Sequence, residues 1–201
     1  MRDEARKARQ EQIETAAYGV MEAKGYAGLS MLAVAKAAKA SNETLYRWYG
    51  DKTGLFEALI ARNIGVVRAA LEKAKGVGGD DARATLERVG PVLVEMLLGP
   101  RAVALNRAAA ADGSGTLGKT LAKGGRETVA PWIADVMEMA VEQGHFHGAP
   151  HEEMVEVWLA LLVADLQVRR VTGAMAELSP EAAVARSRAA MARLDQLFGA
   201  S

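Results

Sequence analysis

The chain has 201 residues, half of them hydrophobic and a quarter charged, and its 25 basic and 25 acidic side chains cancel to a formal charge of zero. That is the composition of a globular protein rather than a disordered or fibrous one, with length for one large domain or two small ones. Cysteine is absent, which excludes disulfides, thiolate metal sites and a cysteine nucleophile.

The opening MRDEARKARQEQIE is charged and does not read as a secretory signal. The longest strongly apolar run, VWLALLVA at 157–164, is too short to span a bilayer. A cytoplasmic protein with no membrane partner is expected. Residues 1–52 carry nine Lys/Arg and seven Asp/Glu, so any binding of nucleic acid must come from local placement of charge rather than a bulk field.

Helix formers dominate and no alternating β-branched run stands between turn signals, so the chain reads as all-α. A first helix is predicted from about Asp3 to Lys24, with Ile13, Ala16, Ala17, Val20 and Met21 on one apolar face and Gly25 as its stop. Ser30 is the expected N-cap of a short second helix built on Met31, Val34, Ala35 and Ala38, and Ser41 that of a third. Ala40 can staple against Leu45. Gly50 ends the third helix, and Asp51 caps a fourth from Lys52 to about Lys75, closed by Gly76, Gly78 and Gly79. Three short helices, the last two joined by a tight turn, fit a helix-turn-helix. Further helices are predicted near 81–98, 100–111, 126–143, 151–172 and 180–198, with a flexible glycine-rich connection around 113–125. Residues 1–52 then form a helix-turn-helix domain, a connecting helix spans about 52–75, and residues 76–201 form a larger helical domain.

Residues 41–56, SNETLYRWYGDKTGLF, place three of the chain's ten aromatic side chains within four positions. On a helix beginning after Ser41, Leu45 and Tyr49 turn inward while Asn42, Glu43, Tyr46 and Arg47 face out. In a DNA major groove the N-terminal residues of such a helix meet base edges. Asn42 can pair with adenine, Glu43 can accept from the cytosine amino group, and Thr44 can touch a thymine methyl. Tyr46 offers a hydroxyl to phosphate, Lys52 offers a charge at the start of the next helix, and Arg47 and Trp48 flank them. For Trp48 and Tyr49, packing within the domain is an equal alternative.

The span from about Gln10 to Ile64 resembles the DNA-binding domain of TetR/AcrR-type transcriptional repressors. The resemblance is carried by Thr44-Leu45-Tyr46, Arg47-Trp48, Tyr49, Lys52 and Leu55-Phe56, and upstream by Gly25-Tyr26 and Leu29-Ser30. It implies a dimeric one-component regulator, in which the N-terminal domain grips palindromic operator DNA and the remainder binds a small-molecule inducer. Two positions depart from that pattern. Lys39 stands at a turn position usually held by glycine, where a left-handed backbone costs about 1 kcal/mol, so the turn is expected to adjust. Glu43 replaces a small or basic residue, which sharpens base choice at a cost in affinity.

Other motifs compete. GSGTLGKT at 113–120 satisfies the Walker A letters through Gly113, Gly118, Lys119 and Thr120, and LALLVAD at 159–165 resembles a Walker B strand. The flanking RAVALNRAAAAD reads as helix, so no strand delivers the loop. His145, His147 and His151 in HFHGAPH are candidate metal ligands, with an interhelical loop as the alternative. No cofactor and no catalytic function are expected. A third reading is a helical protein-interaction module that has lost DNA binding. In the larger domain Met96, Trp132, Met137, Met139 and Trp158 are candidate walls of a ligand pocket or plain core. Val155, Trp158, Leu159, Leu162, Leu166, Val184, Met191, Leu194 and Leu197 form stripes suited to a two-fold dimer or to the monomer's own packing.

Overall fold

A computed structural model describes residues 2–77 and 81–200. These are almost wholly helical, and among them the only β pairing is a single antiparallel bridge between Phe146 and Gly199. No single helix among the described residues is long and apolar enough to cross a membrane.

The order begins with α1 (Arg2–Lys24), α2 (Met31–Ala37), α3 (Asn42–Tyr49) and α4 (Lys52–Val77). Ser30 and Ser41 are the N-caps of α2 and α3, their hydroxyls accepting from the Ala33 and Thr44 amides at 3.1 Å. Each cap satisfies an amide that the first turn of a helix leaves without a partner. Asp51 does the same for α4 through the Gly54 amide at 2.9 Å. Gly54 also lacks the Cβ that would collide with the Tyr49 carbonyl oxygen, which lets the first turn of α4 sit close under the end of α3. α4 continues through Gly76; Gly78 and Gly79, its expected terminators, lie outside the described residues.

Then come α5 (Ala82–Leu98), α6 (Pro100–Ala111), α7 (Thr116–Gly124), α8 (Arg126–Glu142), α9 (His151–Val163), α10 (Leu166–Thr172) and α11 (Pro180–Phe198). Two of these correct the sequence expectation. The glycine-rich connection contains a helix, α7, because the Asp112 carboxylate accepts from the Leu117 amide at 2.8 Å and so organises its first turn. The single helix expected over 151–172 is broken at Ala164, whose backbone stands at φ 43°, ψ −129°. Helix propensity alone would run straight through this stretch. Tertiary partners hold the break open: Arg186 donates to the freed Leu162 carbonyl at 3.0 Å, and Gln167 and Arg170 donate to the Leu97 and Leu98 carbonyls that end α5.

The chain packs as two compact units. The first comprises residues 1–62 and 104–124, the second residues 63–103 and 125–201. Residues 104–124 therefore pack with the N-terminal helices, a membership that sequence order does not disclose. The core of the first unit joins Ile13, Ala17, Met21, Val34, Leu45, Leu55, Phe56 and Leu59 to Leu105, Ala108 and Leu117. The core of the second is built from α5, α8, α9 and α11 around Leu86, Leu93, Ile133, Met137, Trp158 and Leu194. There Arg83 of α5 holds Asp195 of α11 with a two-pronged contact, Nε–Oδ1 3.3 Å and Nη2–Oδ2 2.7 Å.

The turn between α2 and α3 did not adjust. Lys39 takes the left-handed backbone itself, at φ 50°, and its carbonyl accepts from the Arg9 guanidinium at 2.6 Å. Lys39→Gly keeps that backbone hydrogen bond and relieves the strain. It is expected to stabilise the protein by up to about 0.5 kcal/mol after the added chain entropy of glycine, read as a higher urea midpoint at unchanged slope. A midpoint below the wild-type value would show that the strain at Lys39 is smaller than the entropy that glycine adds to the unfolded chain.

Candidate nucleic-acid interface

Eight residues of α3 present two faces. Leu45 is wholly buried and Tyr49 nearly so, while Asn42, Glu43, Tyr46 and Arg47 are exposed, Tyr46 at 52%. Side chains follow one another at about 100° around a helix, so burying 45 and 49 turns 43 and 47 outward. Thr44 and Trp48 are half-buried on one flank. The structure thus brings Asn42, Glu43, Thr44, Tyr46, Arg47 and Trp48 onto one short helix whose N-terminal amides face solvent beyond the Ser41 cap. Such an end favours negative charge. The Ser41 and Thr44 hydroxyls lie 2.8 Å apart, and Ser30 is exposed at the cap of α2. Exposed polar and cationic side chains in this arrangement can read base edges and grip phosphate.

Lys52 is not a free-standing charge. Its ammonium donates to the Tyr26 carbonyl at 2.5 Å and lies 3.7 Å from the centre of the Tyr26 ring. Burial lowers its pKa below the ordinary lysine value. Tyr26 in turn packs edge-on against Phe56, with centroids 5.5 Å apart. Its phenol pKa is raised by burial first, then by the charges of Asp112 and Asp51, with the Thr53 side-chain hydrogen bond opposing. The Lys52–Tyr26 pair therefore ties the start of α4 to the loop before α2. Spacing alone did not assign this partner, nor the Arg9 bond to Lys39, nor the Arg6 guanidinium lying 5.8 Å from the centre of the Trp48 ring.

The rival motifs take other forms. In GSGTLGKT the place a phosphate would need at the N-terminus of α7 is filled by the protein's own Asp112. That carboxylate accepts from the Leu117 amide at 2.8 Å, the Ser114 amide at 3.2 Å and the Ser114 hydroxyl at 2.8 Å. These bonds hold its pKa below the usual carboxylate value. Lys119 and Thr120 lie on the helix itself, and Thr120 donates back to the Thr116 carbonyl. The segment LALLVAD belongs to α9 and its break and is not a strand. Of the histidines, His145 Nε2 lies 3.6 Å from Asp81 and His151 Nε2 lies 3.3 Å from Glu152, while the His147 amide donates to the Phe198 carbonyl. Among the described residues no three potential metal ligands converge.

In the second unit Met96, Met137 and Trp158 are buried, and Trp132 and Met139 are partly buried against the same core. The Trp158 indole N–H is buried with no hydrogen-bond partner among the described residues. Of the stripe residues, Val155, Leu162, Met191 and Leu194 pack into the core of their own chain. Leu159, Leu166 and Val184 are half-covered, and Leu197 is exposed.

Residues 13–59 match the sequence profile of the bacterial regulatory proteins of the tetR family. Among solved structures the chain is similar to a TetR transcriptional regulator from Agrobacterium tumefaciens, at 27% identity and TM-score 0.75, covering 96% of this chain and 95% of that one. It is also similar in fold to the flavonoid-responsive regulator FrrA, at 21% identity and TM-score 0.65 over 96% and 98%. The fatty acid degradation regulator FadR from Bacillus halodurans shares the fold as well, at 15% identity and TM-score 0.68 over 92% and 94%. Among curated proteins none matches the chain.

Tyr49 is the point where the outward row of α3 meets the core, and its hydroxyl is buried with no hydrogen-bond partner among the described residues. Burial, then the charge of Glu14, raises its pKa from 10.0 to about 12 against the opposing effect of Arg62. An unfolded tyrosine ionises near 10, so between about pH 10 and 12 the unfolded chain releases a proton that the folded chain keeps, and stability falls as pH rises. Tyr49→Phe is expected to leave stability at neutral pH unchanged or higher by about 1 kcal/mol, since an unsatisfied buried hydroxyl is removed. It should also flatten the decline above pH 10 in a pH series of thermal melts. A clear loss of stability at neutral pH would show that the hydroxyl has a partner.

Proposed function

We propose, from the tetR-family profile over residues 13–59 and the likeness to a TetR transcriptional regulator, that the chain acts as a cytoplasmic, homodimeric repressor released from palindromic operator DNA by a small-molecule inducer. Residues 1–52 read the operator, and residues 76–201 take the inducer and form the dimer, with α4 as the connection. The observation that carries this reading is the exposed row Asn42, Glu43, Tyr46 and Arg47 on a helix rotationally held by Leu45 and Tyr49. Asn42 and Glu43 read base edges, Thr44 touches a thymine methyl, and Tyr46 and Arg47 hold phosphates beside Trp48. Ser30 and Ser41 add hydroxyl donors, and Lys52 adds the ammonium N–H bonds that Tyr26 does not use. The half-covered Leu159, Leu166 and Val184 and the exposed Leu197 supply apolar positions of a two-fold interface, in which two copies of α3 would stand about one turn of DNA apart.

Release is a shift of population. An inducer that binds better when the two reading helices are wrongly spaced draws the dimer into that spacing, whereas one with equal affinity for both spacings changes nothing. Regulators of this family and fold are not generally enzymes, and we assign no catalytic step. Asp112 occupying the α7 amides argues against the nucleotide reading of residues 113–120.

The test is enrichment of duplexes from a random-sequence pool at two salt concentrations. A palindromic site that weakens steeply with salt is expected. On that site Tyr46→Phe should lower affinity roughly tenfold, as for loss of one hydrogen bond to a charged oxygen. Glu43→Ala should instead relax choice at one base pair by about 1–3 kcal/mol while weakening the preferred site less than it strengthens others. No enrichment, even after bound ligand is stripped by unfolding and refolding, would leave the helical interaction module as the surviving reading.

A further inference from the structure

The stripe by which α1 enters its core does not stop where the core stops. Ile13 and Ala17 are wholly buried, and steps of four and three residues toward the N-terminus reach Arg9, Arg6 and, in sequence, Arg2. The inward-facing stripe thus becomes arginine where α1 runs past the apolar core. Arg9 is committed to the protein, its Nη2 donating to the Lys39 carbonyl at 2.6 Å and its Nη1 to Gln12 Oε1 at 2.8 Å. That fastens α1 to the turn just before α3. Arg6 lies almost one turn further out, with its guanidinium over Trp48 near the other end of α3. α1 therefore passes the turn before α3 and reaches Trp48 near the far end of that helix.

A guanidinium held over an indole ring by cation–π attraction still has N–H groups to donate. Arg6 is exposed, and beyond that contact it has no acceptor among the described residues. Arg2, Arg6, Lys7 and Arg9 outweigh Asp3 and Glu4, so this end of α1 is positive in a chain that is neutral as a whole.

We propose that Arg6 is a DNA-backbone ligand. The first turns of α1 form a further contact element alongside α3, with Trp48 orienting the Arg6 fork and Arg9 acting as the positioning residue that locks α1 to the turn. The fork meets the phosphates that border the flank of the reading helix, so it adds grip without base preference. This inference rests on the DNA-reading function proposed above.

The test measures binding of the full chain to a short duplex of arbitrary sequence across a series of salt concentrations, for wild type, Arg6→Ala, Arg6→Gln and Arg6→Lys. Wild-type affinity should fall linearly with salt on logarithmic axes. Arg6→Ala should flatten that slope by about 0.9 for each copy bound, the share of one neutralised phosphate, and lose affinity alike on every sequence. Arg6→Gln, which keeps a stem to pack on Trp48, should show the same flattened slope at wild-type melting temperature, separating lost charge from lost folding. Arg6→Lys should keep the slope and lose part of the affinity, because an ammonium has no planar fork. A wild-type slope in Arg6→Ala and Arg6→Gln overturns the proposal while leaving DNA binding intact. A wild-type chain that shows no salt-dependent duplex binding removes the reading beneath it, and the proposal with it.

Discussion

The rotation of α3 about its own axis is the constraint on which the interface depends, and two side chains set it. Leu45 and Tyr49 lie one turn apart, both buried in the core of the first unit. Burying side chains of this size is worth about 1.5–3 kcal/mol each. A slip of one residue would bring Tyr46 inward and send Leu45 into water, so every outward position on the helix is decided by these two. The Ser41 cap fixes where the helix begins, and the Gly50 and Asp51 corner fixes where it ends.

Around α3 the unit keeps strain and compensation close together. Lys39 holds a left-handed backbone with no glycine to ease it, and the Arg9 hydrogen bond to its carbonyl helps over-determine that turn. On the other side, Gly54 allows α4 to start under the Tyr49 carbonyl, and Lys52 crosses back to Tyr26. Arg62 of α4 approaches Glu11 at 3.0 Å and Glu14 at 3.6 Å on α1. These contacts make α1, the turn and the first half of α4 the frame in which α3 is held.

The second unit has caps at Asp81 and Ser179 and adds close helix contact to them. Gly90 of α5 has no Cβ, which leaves room for the Ser187 hydroxyl of α11 and the Trp158 ring of α9 to close over it. The α9–α10 break shows the same priority. Ala164 adopts a backbone suited to glycine so that Gln167 and Arg170 can reach the open carbonyls at the end of α5. Satisfying buried backbone acceptors is worth enough to override a strong local preference for helix.

What the sequence determined by itself was local and periodic. The 3.6-residue repeat of Ile13, Ala17 and Met21 was enough to place α1, Ser30 and Ser41 to start α2 and α3, and the inward pair Leu45 and Tyr49 to name the outward row of α3. Caps and amphipathic spacing act within a few residues, so they are written in order along the chain. What only the tertiary structure decided were the partners separated in sequence. No spacing rule joins Lys52 to Tyr26, Arg9 to Lys39 or Arg6 to Trp48, and none places residues 104–124 in the first unit. The glycines of 113–125 concealed α7, because the Asp112 carboxylate that nucleates it weighs against them only once the turn is folded. The break at Ala164 was hidden for the converse reason: its causes lie on α5 and α11, and a backbone yields to distant carbonyls in ways that its own residues do not record.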